Sequence, residues 1–246
     1  MAIKTTQIFD KYSLRARLYP ASLVISPILI LAYFLSNEYN QPLYFYITSI
    51  VAFPAITFFL SQIGRDRGKL KEHELYKSWG GKPTTIILRY KDNHLDKFTK
   101  ERYLETLSTL LPDLIIPNQR QEEEKPIEAD EVYESCGKFL ISKTRDTQKY
   151  NLLFNENINF GFRRNLWGMK AIAISVAIIC ILILLGINFI QTGDNKFNIK
   201  PSGITIISIL SVYLIVWIFI LNRKWVRIAG FAYAERLMES IDTIDK

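Results

Sequence analysis

Charge is absent from four long windows of this chain: Leu18 to Asn37, Tyr39 to Gly64, Ala171 to Gly193 and Pro201 to Asn222, of 20, 26, 23 and 22 residues. A helix needs roughly 20 apolar residues to cross about 30 Å of hydrocarbon, and each window reaches that length. The expectation is four transmembrane helices paired as two hairpins, with a small α+β insert between them. The domain boundaries follow: residues 1–64 hold the N-terminal tail and first hairpin, 65–168 a basic cytosolic insert, 169–222 the second hairpin and 223–246 an amphipathic cytosolic tail. No signal peptide is expected, because a polar stretch containing Asp10 and four cations precedes or opens the first apolar run without a small-residue cleavage site after it.

The cations set the expected orientation. Of 31 Lys and Arg residues, 4 lie in the N-terminal tail, 20 between Arg65 and Lys170, 2 in the loop before Pro201 and 5 after Asn222. The positive-inside bias places both termini and the insert in the cytoplasm, in a multi-pass protein of the inner membrane. The 2 cysteines, Cys136 and Cys180, fall in different compartments on this reading and form no disulfide framework.

Within the insert, residues 67–79 have helical composition and stop at Gly80 and Gly81. Thr84 to Tyr90 (TTIILRY) is rich in β-branched residues and reads as a strand. Asp92 and Asn93 offer caps for a helix that Pro112 ends, and 112–126 reads as a linker whose Glu122, Glu123 and Glu124 form a solvated run. A third helix is expected over about 127–142.

Enzymatic signatures are missing. His73 and His94 have no partners at metal-ligand spacing. GGKPTT fails as a phosphate loop, since Tyr76 stands where the first glycine belongs and Pro83 follows the lysine. Neither an enzyme nor a cofactor is expected.

What stands out is cationic. Six cations from Arg65 to Lys82 face three acids, and Lys138, Lys143, Arg145 and Lys149 form a second group. Those nearest the bilayer (Arg65, Arg163, Arg164, Lys170, Arg223 and Lys224) suit lipid headgroups. Farther out, at about 1.5 Å per helical residue, Lys77 stands roughly 20 Å beyond Gly64. Arg67, Lys69, Lys71, Lys82, Arg89, Lys138 and Lys143 are therefore candidate contacts for a nucleotide or oligonucleotide, and Trp79 is either a base-stacking platform or a core residue.

Four helices of this composition cannot enclose a wide aqueous path alone, so conduction would require a homo-oligomer. Ser175, Asn188, Ser208 and Ser211 are the candidate pore or gate residues, although small and hydroxylated residues equally suit helix packing. Trp225, Ile228, Phe231, Ala232 and Leu237 give the tail an apolar face for a membrane surface or a neighbouring subunit.

Two apolar hairpins around a basic insert, with RDRGKLKEHELYKSWGGKPTT leading in and NFGFRRNLWGMK leading out, resemble the membrane effector of the bacterial Hailong anti-phage systems over most of the chain. The resemblance implies an ion channel topped by a cytosolic crown. That crown binds a DNA oligomer made by a partner nucleotidyltransferase, and the bound DNA holds the channel shut. The expected function is thus an oligomeric pore gated by a nucleotide or DNA oligomer. The alternative is a non-conducting membrane scaffold whose insert docks an acidic protein.

Overall fold

The computed structural model describes residues 10–192 and 199–244, with backbone alone at 44, 45, 47, 48 and 192. Among the described residues every regular element is helical: α1 (Tyr19–Glu38), α2 (Pro42–Trp79), α3 (Pro83–Ile86), α4 (Lys97–Leu110), α5 (Gln119–Glu124), α6 (Pro126–Lys143), α7 (Asn151–Gly168), α8 (Lys170–Thr192), α9 (Pro201–Ile215) and α10 (Arg223–Glu239). A π-helical stretch, Ser13–Leu18, opens α1, and another, Val216–Ile220, prolongs α9. The chain divides into two compact units, Met1–Lys71 with Gly161–Trp225, and Glu72–Phe160 with Val226–Lys246.

In the first unit, α1, α8 and α9 pack along shared apolar seams. One core joins Val24 and Ile25 to Met169, Ala173, Trp217 and Leu221, and another joins Leu31 to Cys180, Leu184 and Leu210. The ends of the bundle are fixed by polar contacts. At one end Asn165 Nδ2 donates to the Ala16 carbonyl (2.7 Å), and Lys170 Nζ donates to the carbonyls of Ile218 (2.8 Å) and Leu221 (2.9 Å). At the other, Lys200 pairs with Glu38, and Gln191 Nε2 donates to the Tyr39 hydroxyl (3.0 Å). After a left-handed turn at Asn40 (φ 57°), α2 brings the chain back until Gly64 lies against Met169.

Among the described residues, three helical stretches are long and apolar enough to cross a membrane: Ser13–Glu38, Lys170–Gln191 and Pro201–Ile220. This corrects the expectation of four spans in two hairpins. The Tyr39–Gly64 window begins in the turn before α2, and the described part of α2 mixes apolar residues with Ser49, Pro54, Thr57, Ser61 and Gln62 and runs unbroken into Arg65, Asp66 and Arg67.

The expected α+β insert is also corrected, because the described residues contain no strand. Thr84–Tyr90 starts as the single helical turn α3, with Pro83 at its first position and the Ile87 N–H donating to the Pro83 carbonyl (3.1 Å), and continues through turns. The run is β-branched because Thr85, Ile86, Ile87 and Leu88 are buried. Burial selects the same residue types that strands favour, and no second strand offers a ladder for the backbone groups.

The second unit closes around Ile87 and Leu88 from the turn after α3 and Tyr103, Leu107, Ala129, Tyr133, Cys136 and Leu140 from α4 and α6, with Leu153 from α7. Ala234, Leu237 and Met238 of α10, followed by Ile241, complete this core. The tail is thus interior packing of its own chain, while Ile228 on its outer side is exposed. Asp96, rather than Asp92 or Asn93, caps α4, its carboxylate accepting from the Thr99 N–H (3.0 Å). The expected linker folds as α5, started by a capping box in which Asn118 and Gln121 satisfy each other's backbone N–H.

Candidate functional site

The cations singled out from the sequence fall into two groups, which are described separately. Arg67, Lys69 and Lys71 belong to the first unit. Arg67 and Lys69 are exposed and make no ion pair among the described residues, whereas the Lys71 ammonium lies 4.7 Å from the centre of the Trp167 ring. Arg163 stacks over Trp225 (4.8 Å) and donates to its carbonyl (2.9 Å), and Arg223 lies 5.8 Å from the Trp167 ring. With Lys170 they give this end of the bundle a rim of cations and tryptophans.

Trp79, Lys82, Arg89, Lys138 and Lys143 belong to the second unit, where most are held by their own chain. Lys82 and Lys138 converge on Glu134 at 2.6 and 3.0 Å, and the Lys82 hydrogen bond leads the effects that hold the Glu134 carboxyl below its ordinary range. Arg89 grips Asp130 with two hydrogen bonds, Nε to Oδ1 at 2.7 Å and Nη2 to Oδ2 at 2.6 Å, and also donates to the Gly80 carbonyl (3.0 Å). Its guanidinium pKa is raised, first by the hydrogen bond to Asp130. Gly81 (φ 145°) sits beneath that guanidinium, where a Cβ would stand 2.9 Å from Nη2. Trp79 meets Tyr76 edge-on at 5.8 Å and packs against Gly230, which makes it a packing residue. Lys143 is exposed at the end of α6, near the Phe139 ring.

Between α5, α6 and the turn after α3 lies a cavity of about 400 Å³, lined by Gly80, Arg89, Tyr90, Lys91, Gln119, Glu122, Glu123, Pro126 and Asp130. Its distinctive residue is Glu122. Expected as part of a solvated acidic run, Glu122 is instead 7% exposed. Its Oε2 accepts from the Tyr133 hydroxyl (2.7 Å) and the Tyr90 N–H (3.0 Å). Tyr133 is fully buried, and desolvation followed by this hydrogen bond drives its phenol pKa far upward. Nearby Lys100, 4% exposed, donates to the carbonyls of Arg89 and Asp92, and burial pulls its ammonium pKa down. The available signal was the N-x-x-Q capping pattern at 118–121, which makes Glu122 part of a helical turn rather than a loop.

The candidate pore residues lie on α8 (Ser175, Asn188) and α9 (Ser208, Ser211). Ser175 and Ser208 are exposed, and Ser208 and Ser211 return their hydroxyls to the carbonyls of Ile204 (2.9 Å) and Ile207 (2.8 Å) in their own helix. Asn188 lines a cavity of about 310 Å³ at the Glu38 end of the bundle, with Gln191, Lys200 and apolar Phe34, Leu184 and Ile207. No metal-binding group of three or more His, Cys, Asp or Glu residues occurs among the described residues.

Comparison with family models, with curated proteins and with solved structures finds no match to this chain.

Proposed function

We propose that the chain is a membrane effector whose apolar helices conduct ions as a homo-oligomer and whose basic 65–168 segment senses a nucleotide or DNA oligomer. Connectivity carries this reading. The chain passes between the units within α2, α7 and α10, each time inside an unbroken helix. Exposed Arg67 and Lys69 lie on α2 just before its passage from the first unit to the second. The ligand shifts the pore only as far as it binds one state better than the other.

The cation-rich rim with Trp167 and Trp225 supports an inner-membrane protein with that end on the cytoplasmic side, against anionic lipid. Ala16 and Leu221 belong to the same end, which agrees with cytoplasmic termini. Hydroxyls bonded back to their own helices favour a pore formed between copies over one through a single bundle. Exposed Arg67 and Lys69 are the cations best suited to phosphate, and the resemblance to the Hailong effector adds a nucleotidyltransferase as the source of the oligomer.

The test is ion flux from the purified protein reconstituted in liposomes, with and without a short DNA oligomer. Flux that the oligomer changes is expected. Absence of flux under both conditions overturns the pore and leaves a scaffold that docks an acidic partner.

A further inference from the structure

A serine inside a helix commonly returns its hydroxyl to a carbonyl of the preceding turn, which satisfies the donor without help from another helix. In the first unit Ser22 donates to the Leu18 carbonyl (2.8 Å), Ser26 to that of Leu23 (2.9 Å) and Ser61 to that of Phe58 (2.7 Å). Ser49 of α2 does not. Its Oγ is shut off from solvent and meets no donor or acceptor among the described residues. A hydroxyl in that state is costly until water or a ligand completes its bonding.

Ser49 lines a cavity of about 110 Å³ between α1 and α2. The other walls are apolar: Ile25, Ile28 and Leu29 of α1 and Ala52, Phe53 and Ile56 of α2 enclose most of it. α1 packs mainly on α8 and α9, which leaves this gap on its α2 side. Ile28 and Ile56 are exposed at the edge, so the gap is open to entry. Water fits the space but not the chemistry, because a buried water needs roughly two to four polar partners and Ser49 is the one polar side chain in the lining. Pure hydrocarbon fits the walls and leaves the hydroxyl as it was. An apolar cavity of about 150 Å³ takes up benzene, so the space beside Ser49 suits a single ring or a short chain.

We infer that this cavity binds a small neutral alcohol or phenol, with its apolar body against Ile25, Phe53 and Ile56 and its oxygen on the Ser49 hydroxyl. A ligand hydroxyl both donates and accepts, so either orientation of the Ser49 proton completes the pair. Ions are rejected, since no charged side chain lines the space to repay their desolvation. Binding requires neither a pore nor an oligomer and stands apart from the function proposed above.

The experiment is a fluorine NMR titration of the full-length protein in detergent with para-fluorophenol and with para-fluorotoluene, which carries a methyl group in place of the hydroxyl. Both are neutral at about pH 7, because a phenol ionises near about pH 10. Protein-free micelles set the background. Saturable binding of para-fluorophenol above that background is expected. Ser49→Ala should weaken it by roughly three- to tenfold, the worth of one neutral hydrogen bond, and leave para-fluorotoluene unchanged. Ala32→Leu, which puts added carbon into the cavity, should weaken both ligands. No saturable para-fluorophenol binding to the unaltered protein, undiminished affinity in folded Ser49→Ala or Ala32→Leu, or equal weakening of the two ligands by Ser49→Ala would each overturn the assignment. The unaltered protein is titrated on its own, so that result stands whether or not the variants fold.

Discussion

Gly168 lies so close to Gly68 that a Cβ on Gly168 would stand 2.7 Å from the Gly68 nitrogen and 2.9 Å from its Cα. The obstacle is backbone, which cannot rotate away as a side chain can. Gly64 and Gly68, four residues apart on α2, lie against the side chains of Met169 and Asn165, a close approach that small residues at this spacing permit. Gly168→Ala should therefore destabilise the first unit by about 1–3 kcal/mol through overpacking. Gly186→Ala on α8, where a Cβ meets nothing within 4 Å, should be neutral or stabilising by up to about 1 kcal/mol. Thermal unfolding of both variants in detergent measures the contrast, and equal midpoints would contradict the contact.

The second unit should lose stability in alkali. Tyr133 and Cys136 are both completely buried; burial drives the Tyr133 phenol well above its ordinary value and pushes the Cys136 thiol up from 9.0 to about 11. Once an unfolded chain would ionise these groups, the native state still holds their protons, so stability is full below the unfolded values and declines as pH rises through the native ones. Unfolding by denaturant at about pH 8 and about pH 10.5 should show the decline, and it should shrink in Cys136→Ala. A Cys136 thiol that reacts with iodoacetamide in the folded protein as fast as in the unfolded one would remove the basis for this expectation.

Some of this arrangement was legible in the sequence and some was not, for reasons visible in particular residues. The helix about 127–142 was readable from Val132, Cys136, Phe139 and Leu140 at helical spacing, and α6 spans Pro126–Lys143. TTIILRY misleads because its buried stretch, Thr85 to Leu88, is too short for a periodicity that separates strand from helical turn. Three consecutive glutamates read as solvent-facing, yet Glu122 turns inward because Tyr133 stands 11 residues later to donate to it, a pairing that only the tertiary fold creates. The cations were legible as a cluster in sequence. Their partners Asp130 and Glu134 lie 41 and 52 residues away from Arg89 and Lys82, beyond the reach of local pattern.

Arg89 is a structural tie, and its removal should register as lost stability. Its side chain is 13% exposed and that of Asp130 36%, so the pair is partly screened and its worth falls below that of a buried bridge. Arg89→Ala should cost about 1–2 kcal/mol, and Arg89→Lys should recover little, since an ammonium cannot reproduce the paired hydrogen bonds to Asp130. Exposed Lys143→Ala should change stability by less than about 0.5 kcal/mol. Denaturant unfolding of the three variants checks the order, and an Arg89→Ala protein as stable as the parent would return Arg89 to the pool of free ligand-binding cations.

The oligonucleotide reading rests on Arg67 and Lys69, because Lys82 already faces Glu134 at 2.6 Å. An exposed cation that contacts phosphate displaces counterions from a single strand, and its loss flattens the dependence of log affinity on log salt by about 0.7 for each contact removed. Arg67→Ala combined with Lys69→Ala should weaken binding of a short DNA oligomer uniformly across sequences and reduce that slope by about 1.4 if each residue meets one phosphate. Lys82→Ala should leave the slope unchanged, since its charge is satisfied within the protein. Fluorescence anisotropy at four salt concentrations separates the cases. A slope altered by Lys82→Ala and untouched by the double variant would move the anionic ligand away from the start of α2's charged half to the Glu134 face of α6, and the salt dependence would identify which cations it meets there.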